Sequence, residues 1–321
     1  MSQNLLGLYH CFIPKFSLQK KLKNLNNFSD KKLLDIAARV NYYCNFKDPQ
    51  KLKMPQKSRL QIIKSGSRYA YDFYNLARFF PKHLRDFNFL LDFGDVNYEA
   101  LYPTFCKSRP IKSKSNNIIL KLDSKRHFGF APILDDLDFS AKSDILFFRG
   151  SCLQEHRQRF LKQFYDHKLC DIGHTGAFDP AFSFLEHFRK PRSDVMAHLK
   201  HKFILSLQGN DVATNLKWIL STNSIALMPR PDFESWFMEG KLIPNVHYLQ
   251  IRSDFSDVID KITSLSLSDA RAIIAAAKAH AAQFSDQENE LLIGLLVLRK
   301  FFYKTDQMQV SKIEEELFKE N

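Results

Sequence analysis

The sequence predicts an α/β protein of two parallel-sheet lobes, split near residue 140, with a helical C-terminus. Three observations lead there. Short apolar runs alternate with amphipathic stretches of helical period, the pattern of parallel strands joined by crossover helices. The 321 residues leave room for two domains of ordinary size. Hydrophobic residues at 45%, with 30 Phe and 11 Tyr, can fill two cores. The expected organisation is an N-terminal lobe over 1–140 with a basic helical start, a Rossmann-like lobe over 141–265 and C-terminal helices over 266–321.

In chain order, "SDKKLLDIAARVNYY" opens with Ser29 and Asp30 as cap candidates and sets Leu33, Ile36, Ala37 and Val40 on one face. "SRYAYDFYNLARFF" reads as a second helix stopped by Pro81. "FNFLLDFGD" is an aromatic-rich buried strand ended by Gly94, with Asp95 just past it. "NNIILKLDS" and "DILFFRGS" are further strands, and a helix is expected directly after Ser151 in "CLQEHRQRFLKQFYDH". Then follow helix 193–201, strand 202–209, helix 213–222, strand 224–229, helix 232–241 and strand 247–251. The alanine-rich "SLSDARAIIAAAKAHAAQF" begins the helical C-terminus.

Ligands of such sheets sit outside the carboxyl ends of the strands, and three polar strand ends fall there: Gly94-Asp95, Arg149-Gly150-Ser151 and Gly209-Asn210-Asp211. Gly150 lets a backbone approach closely, a helix start after Ser151 offers free N–H groups, and Arg157 supplies a fork suited to a diphosphate. Gly209, Asn210, Asp211 and Thr214 repeat that arrangement, with Lys217 one turn on. An ordinary capped β–α turn uses the same residue types, so the pattern alone leaves both readings open. Asp95 is a general-base candidate, or else a turn aspartate. Asp136 and Asp138 form an acidic doublet of a kind common by chance. His198 and His201 read better as capping or core groups than as metal ligands, and Trp218 as core.

The net charge of +12 is uneven: Met1 to Arg68 holds fourteen Lys or Arg against three Asp or Glu. That surplus suggests an anionic partner such as nucleic acid, an acidic membrane surface or a phosphorylated substrate. No interleaved basic–aromatic module supports nucleic acid, which ranks below the other readings. The five cysteines show no C-x-x-C pair, and neither a signal peptide nor an 18-residue apolar span is visible. Reduced thiols in a cytoplasm, without a zinc site, are expected.

Together these stretches resemble the CAP10-like glycosyltransferases of family 90, which include protein O-glucosyltransferases and bacterial lipopolysaccharide-biosynthesis proteins. The likeness is carried by "FFRGSCLQEHR" (147–157), "HLKHKFILSLQGNDVATNLKWILSTNSIALMP" (198–229) and "WFMEGKLIPNVHYLQIRSDFSDV" (236–258). "FLLDFGDVNYEALYPTFCKSRPI" (89–111) followed by "ILKLDSKRHF" looks like the bacterial branch. It spans roughly residues 85–260. The resemblance implies a GT-B-like fold with two lobes around a cleft, and inverting, metal-independent transfer from a UDP-sugar with no cofactor. It implies Asp95 as the base, Arg149, Gly150, Ser151 and Arg157 as nucleotide-binding positions, and a second nucleotide loop from Gly209 to Lys217. Where several eukaryotic members carry an arginine, this chain has Asn215, so the diphosphate duty falls to Lys217 or to Arg157. The implied acceptor is a lipopolysaccharide or lipooligosaccharide core, reached at the cytoplasmic face of the inner membrane through peripheral contact. A family member without catalysis and a basic nucleic-acid binder are the competing readings.

Overall fold

The computed structural model describes residues 22, 24–45, 68–80, 87–112, 116–129 and 133–319. Most of the basic N-terminal segment, Cys11 and Pro81 lie outside the described residues. In chain order the helices and strands are α1 (Asp30–Tyr43), α2 (Arg68–Ala77), β1 (Leu90–Asp92), β2 (Thr104–Cys106), β3 (Ser108–Pro110), β4 (Asn117–Ile119), α3 (Ser124–Phe128) and β5 (Ser143–Gly150). Next come α4 (Glu155–Phe164), β6 (Cys170–His174), α5 (Val195–His198), β7 (His201–Leu205), α6 (Leu216–Ile219), β8 (Ile225–Met228) and β9 (Phe233–Ser235). The chain closes with β10 (Leu249–Gln250), α7 (Val258–Ser264), α8 (Leu267–Ala282), α9 (Gln287–Lys304) and α10 (Lys312–Leu317). They form a mixed α/β chain with parallel sheets, divided into two compact units.

The first unit comprises the described residues up to Ser124, the short return Phe233–Trp236, and everything from Phe284 onward. Its sheet is parallel, in the order β1-β2-β4. Phenylalanines fill its centre: the Phe105 ring lies 4.7 Å from Phe301, and Phe73 lies 5.4 Å from Phe89. Burying each such ring contributes roughly 2–3 kcal/mol. Helix α1 starts where the sequence indicates, with the Ser29 side chain accepting from Lys32 N. Helix α9 packs on α1 and α2 and brings Glu290 to Arg39 (2.6 Å), Lys121 (3.1 Å) and the Trp236 indole N–H. All three donors converge on one buried carboxylate, which is what its burial requires.

Residues 232–241, expected to be helical, instead supply β9, antiparallel to β3 with Arg109 opposite Glu234. Two tertiary contacts override the local helical pattern. The Arg109 guanidinium donates to the buried Glu234 carboxylate at 2.7 Å, and the Trp236 ring stacks on Tyr43 at 4.0 Å. Met238 then takes a left-handed φ of 54°, which no continuing helix would allow.

Asp72 on α2 is buried and accepts hydrogen bonds from Ser124 N (2.7 Å) and Ser124 Oγ (2.6 Å). Burial outweighs those bonds and raises its carboxyl from 3.8 to about 6. The folded unit therefore holds this proton more tightly than the unfolded chain does. The contribution of Asp72 to stability, on the order of 2–3 kcal/mol, should be lost as pH rises through the window from about 4 to about 6, and stay level on either side. Urea unfolding of the native chain and of Asp72→Asn at pH 4 and pH 7 should show the native chain losing stability relative to the variant between the two, a comparison that removes the opposing trend of the histidines whose values burial lowers.

The second unit runs from Lys125 to Asp232 and from Phe237 to Gln283. Its five strands are all parallel, in the order β10-β8-β7-β5-β6. Strand β5 heads the unit, β6 lies on one side and β7 on the other, so the topological switch point falls between β5 and β7. The core collects Leu146, Phe148, Phe160, Ile172, Leu205 and Leu227 from the strands and α4. Strand β6 was not expected from the sequence. The expected helices over 193–201 and 213–222 shrink to single turns, α5 and α6.

Candidate active site

Strand β5 ends at Gly150, where a Cβ would meet the Phe148 ring at 2.7 Å, so a larger residue there would have to displace that ring. Helix α4 begins only at Glu155, later than expected, with residues 151–154 forming a loop. Arg157, in the first turn of α4, still reaches back. Its Nη1 donates to Ser151 O at 2.7 Å, its Nε to Gln208 O at 3.0 Å and its Nη2 to Leu207 O at 2.5 Å. One guanidinium thus ties the loop after β5 to the segment after β7, at the switch point. All these acceptors are neutral carbonyls, and no carboxylate among the described residues forms an ion pair with Arg157. Burial pushes the guanidinium below its ordinary value, and the nearby Arg126 charge acts in the same direction. An arginine remains charged at any physiological pH, so the locus is electropositive and its charge is not cancelled.

Gly209 keeps that charge uncovered. A Cβ there would find Arg157 Nη2 as its nearest neighbour, at 3.8 Å, and a longer side chain would lie against the guanidinium. Asn210 is tied to the first loop, its Oδ1 accepting from Gln154 Nε2 at 3.1 Å. Asp211 is buried and Thr214 half-buried. Residues 209–215 are irregular, and α6 spans only Leu216–Ile219. The second loop thus offers backbone and side-chain groups rather than a helix terminus. Asn215 fastens this loop to the strand, accepting from Ser206 Oγ at 3.1 Å and donating to Leu205 O at 3.0 Å.

Two cations read from the sequence are drawn to carboxylates. Arg149 Nη2 grips Asp171 at 2.8 and 2.9 Å, and its guanidinium lies over the Phe147 ring. Lys217 is buried, donating to Glu239 at 2.5 Å and to Ala213 O at 3.1 Å. The structure therefore gathers Ser151, Arg157, Gly209 and Asn210, and sets Arg149 and Lys217 in separate ion pairs.

Other groups at the locus escaped the sequence reading. His156 Nε2 is 2.8 Å from Gln208 O, and Gln208 Nε2 donates to Asp232 at 2.9 Å. His174 Nδ1 accepts from Cys152 N at 3.1 Å, and burial lowers both histidines toward the neutral form. His156 and Gln208 lie inside the stretches that carried the resemblance, but only the loop geometry gives them partners.

In the first unit, Asp95 follows β1, with its carboxylate about one-third exposed and Oδ1 accepting from Lys107 Nζ at 2.6 Å. Lys107 is buried and faces the Tyr69 ring. The next residue is pinned: Val96 N donates to Ser108 Oγ, and Ser108 Oγ donates to Val96 O. Such anchoring holds a carboxylate in one place, as a general base requires. Asp92 lies within β1 and accepts from the Tyr98 hydroxyl.

The remaining candidates have structural duties. Asp138 caps a short 3-10 turn through Ser140 N. His198 Nδ1 bonds Asp194 O at 2.7 Å and its ring packs on Phe147 and Trp218, while His201 stacks on Phe147. Among the described residues no group of three or more His, Cys, Asp or Glu could hold a metal ion. No helix among them is long and apolar enough to cross a membrane.

Residues 134–288 match the glycosyl transferase family 90 model, a span that contains every candidate on the second unit but not Asp95. The chain is also 43% identical over 272 residues to the O-glucosyltransferase LpsA of Dichelobacter nodosus, covering 83% of this chain and 82% of that protein. The chain belongs to glycosyltransferase family 90. It is a glycosyltransferase, and as a family 90 enzyme it handles a sugar donor and an acceptor. The Arg157 cluster lies in the part of the enzyme that the family model covers.

Proposed function

We propose that this enzyme transfers glucose from UDP-glucose to a hydroxyl of a lipopolysaccharide or lipooligosaccharide core, with inversion and without a metal ion. The observation that carries the donor side is Arg157, a charged fork fixed at the β5/β7 switch point, whose partners among the described residues are carbonyls and which has Gly209 beside it. A leaving diphosphate needs such a preorganised cation, and Ser151 at the end of β5 adds a hydroxyl and a backbone N–H. The glucose and the acceptor follow the O-glucosyltransferase LpsA name of the relative and the bacterial look of residues 89–111. A GT-B-like arrangement, with the donor on the second unit and Asp95 presented from the first, completes the reading.

In the reaction the acceptor oxygen attacks the anomeric carbon from the face opposite UDP, and the bond from that carbon to the β-phosphate oxygen breaks. Asp95 takes the hydroxyl proton. Arg157 stabilises the charge gathering on the departing diphosphate. Lys107 holds Asp95 in place throughout. The reading extends to action at the cytoplasmic membrane face, where the basic N-terminal segment would meet anionic lipid.

The test is transfer in EDTA from UDP-glucose, UDP-galactose and UDP-xylose to a truncated core oligosaccharide, with the product linkage read by NMR. A β-glucoside formed from α-linked UDP-glucose is the expected product. An α-linked product would exclude single displacement, and no transfer without added divalent ion would exclude metal independence.

A further inference from the structure

Strand β6 ends beside the donor locus but on the side away from the switch point, and the loops around its end build a separate pocket. Gly150 and His174 are paired across β5 and β6, and Thr175 N donates to Gly150 O at 3.0 Å. The chain returns to the same place at Arg189, which bridges to His174, while Lys190 N donates to His174 O at 3.0 Å. Between these two segments lies a cleft of about 400 Å³, lined by Thr175, Gly176, Arg189, Lys190, Pro191 and Arg192. Three of the six lining residues are cations and none is a carboxylate.

The cations are held in place. Arg189 Nη1 donates to Gly176 O at 3.0 Å while the rest of its fork meets Glu186. Lys190 reaches Asp171 at 2.7 Å, which Arg149 also grips. Arg192 Nε lies 3.4 Å from Thr175 O, and no carboxylate among the described residues forms an ion pair with it. Counting Glu186 and Asp171 against the three lining cations and Arg149 leaves a positive excess. Proline between Lys190 and Arg192 restricts the backbone that presents them. Gly176 forms the wall shared with the donor locus: a Cβ there would lie 3.0 Å from Ser151 Oγ and 2.6 Å from the His174 ring.

We infer that this pocket is an anion subsite that receives a phosphate group carried by one of the enzyme's saccharide substrates. The volume admits a phosphate together with part of the sugar bearing it, and anchored guanidinium groups are the side chains best matched to phosphate oxygens. Two sources have this chemistry: a phosphorylated acceptor, or the diphosphate of the donor. Only the choice between them rests on the donor reading given above.

Inorganic phosphate is titrated at low ionic strength into the full chain and into Arg192→Gln, each with and without saturating UDP. Arg192 is exposed, so the variant should keep its fold and its melting temperature. The expected result is a phosphate site that persists with UDP bound, whose Kd rises roughly tenfold in Arg192→Gln while the Kd for UDP changes by less than about twofold. That assigns the subsite to the acceptor. Phosphate that competes with UDP, both weakened by the substitution, supports the subsite and assigns it to the donor. Equal phosphate affinity in the two proteins, or no phosphate binding at millimolar concentrations, overturns the inference. Should UDP bind neither protein while phosphate binding still depends on Arg192, the donor reading fails and the subsite stands.

Discussion

Asp95→Asn should lower kcat for transfer by about 10²–10⁴-fold, the range a positioned base contributes, while the Kd for UDP stays within about twofold. Asparagine keeps the shape of the side chain and can still accept from Lys107 Nζ through its amide oxygen, so the geometry after β1 should survive. What it loses is the ability to take a proton. UDP affinity should hold because the groups proposed for the diphosphate, Ser151, Arg157, Gly209 and Asn210, belong to the second unit and Asp95 to the first. The measurement is a pair of experiments on one preparation: steady-state transfer with saturating donor, and calorimetric titration with UDP. Retained turnover would remove Asp95 from the base role, leaving Asp92, at the end of β1, as the next carboxylate to test. Lost turnover together with lost UDP binding would point to a collapsed fold instead, and the melting temperature distinguishes that case.

Arg157→Lys should weaken UDP binding by about 10–100-fold and lower transfer by about 10²-fold or more. Lysine keeps the charge, so the loss would measure geometry. The guanidinium donates at once to Ser151 O, Leu207 O and Gln208 O, and a single ammonium cannot span all three while presenting a face to phosphate. Each carbonyl left without a donor in this half-buried place costs about 1–3 kcal/mol unless water replaces it. The apo protein should therefore melt lower, and UDP should raise its melting temperature by less than in the native chain. Unchanged UDP stabilisation in Arg157→Lys would place the diphosphate elsewhere.

Much of the fold follows from local rules. Strand β5 is legible in "DILFFRGS" because a parallel strand covered on both faces is a continuous apolar run, and α1 because Ser29 caps a 3.6-residue period. Strand β6 is not, since Asp171 and Gly173 interrupt "CDIGH". Asp171 is tolerated there because Arg149 and Lys190 neutralise it, and no short-range pattern records that. The helix expected over 232–241 fails for a related reason: Arg109, which holds Glu234, and Tyr43, which holds Trp236, lie more than a hundred residues before them. At the candidate site, Ser151, Gly209 and Asn210 were readable from their places just past strands, and Arg157 from the helix that follows one of them. Arg149 and Lys217 carry the same local signature but find carboxylates twenty-two residues distant. A cation's sequence neighbourhood shows where it sits, and only the fold shows what has already neutralised it.

The division of the chain also constrains how it is made. The first unit takes its core from both ends: Phe73, Phe89 and Phe105 come early, while Phe301 and Phe302 belong to α9, near the end. Glu290, the common acceptor for Arg39, Lys121 and Trp236, lies in the same late helix. During synthesis the second unit, nearly continuous from Lys125 to Gln283, can close on itself as it leaves the ribosome. The first must wait with its phenylalanines uncovered until the segment from Phe284 through α9 has emerged. That interval is when the nascent chain is most prone to aggregate and most in need of a chaperone.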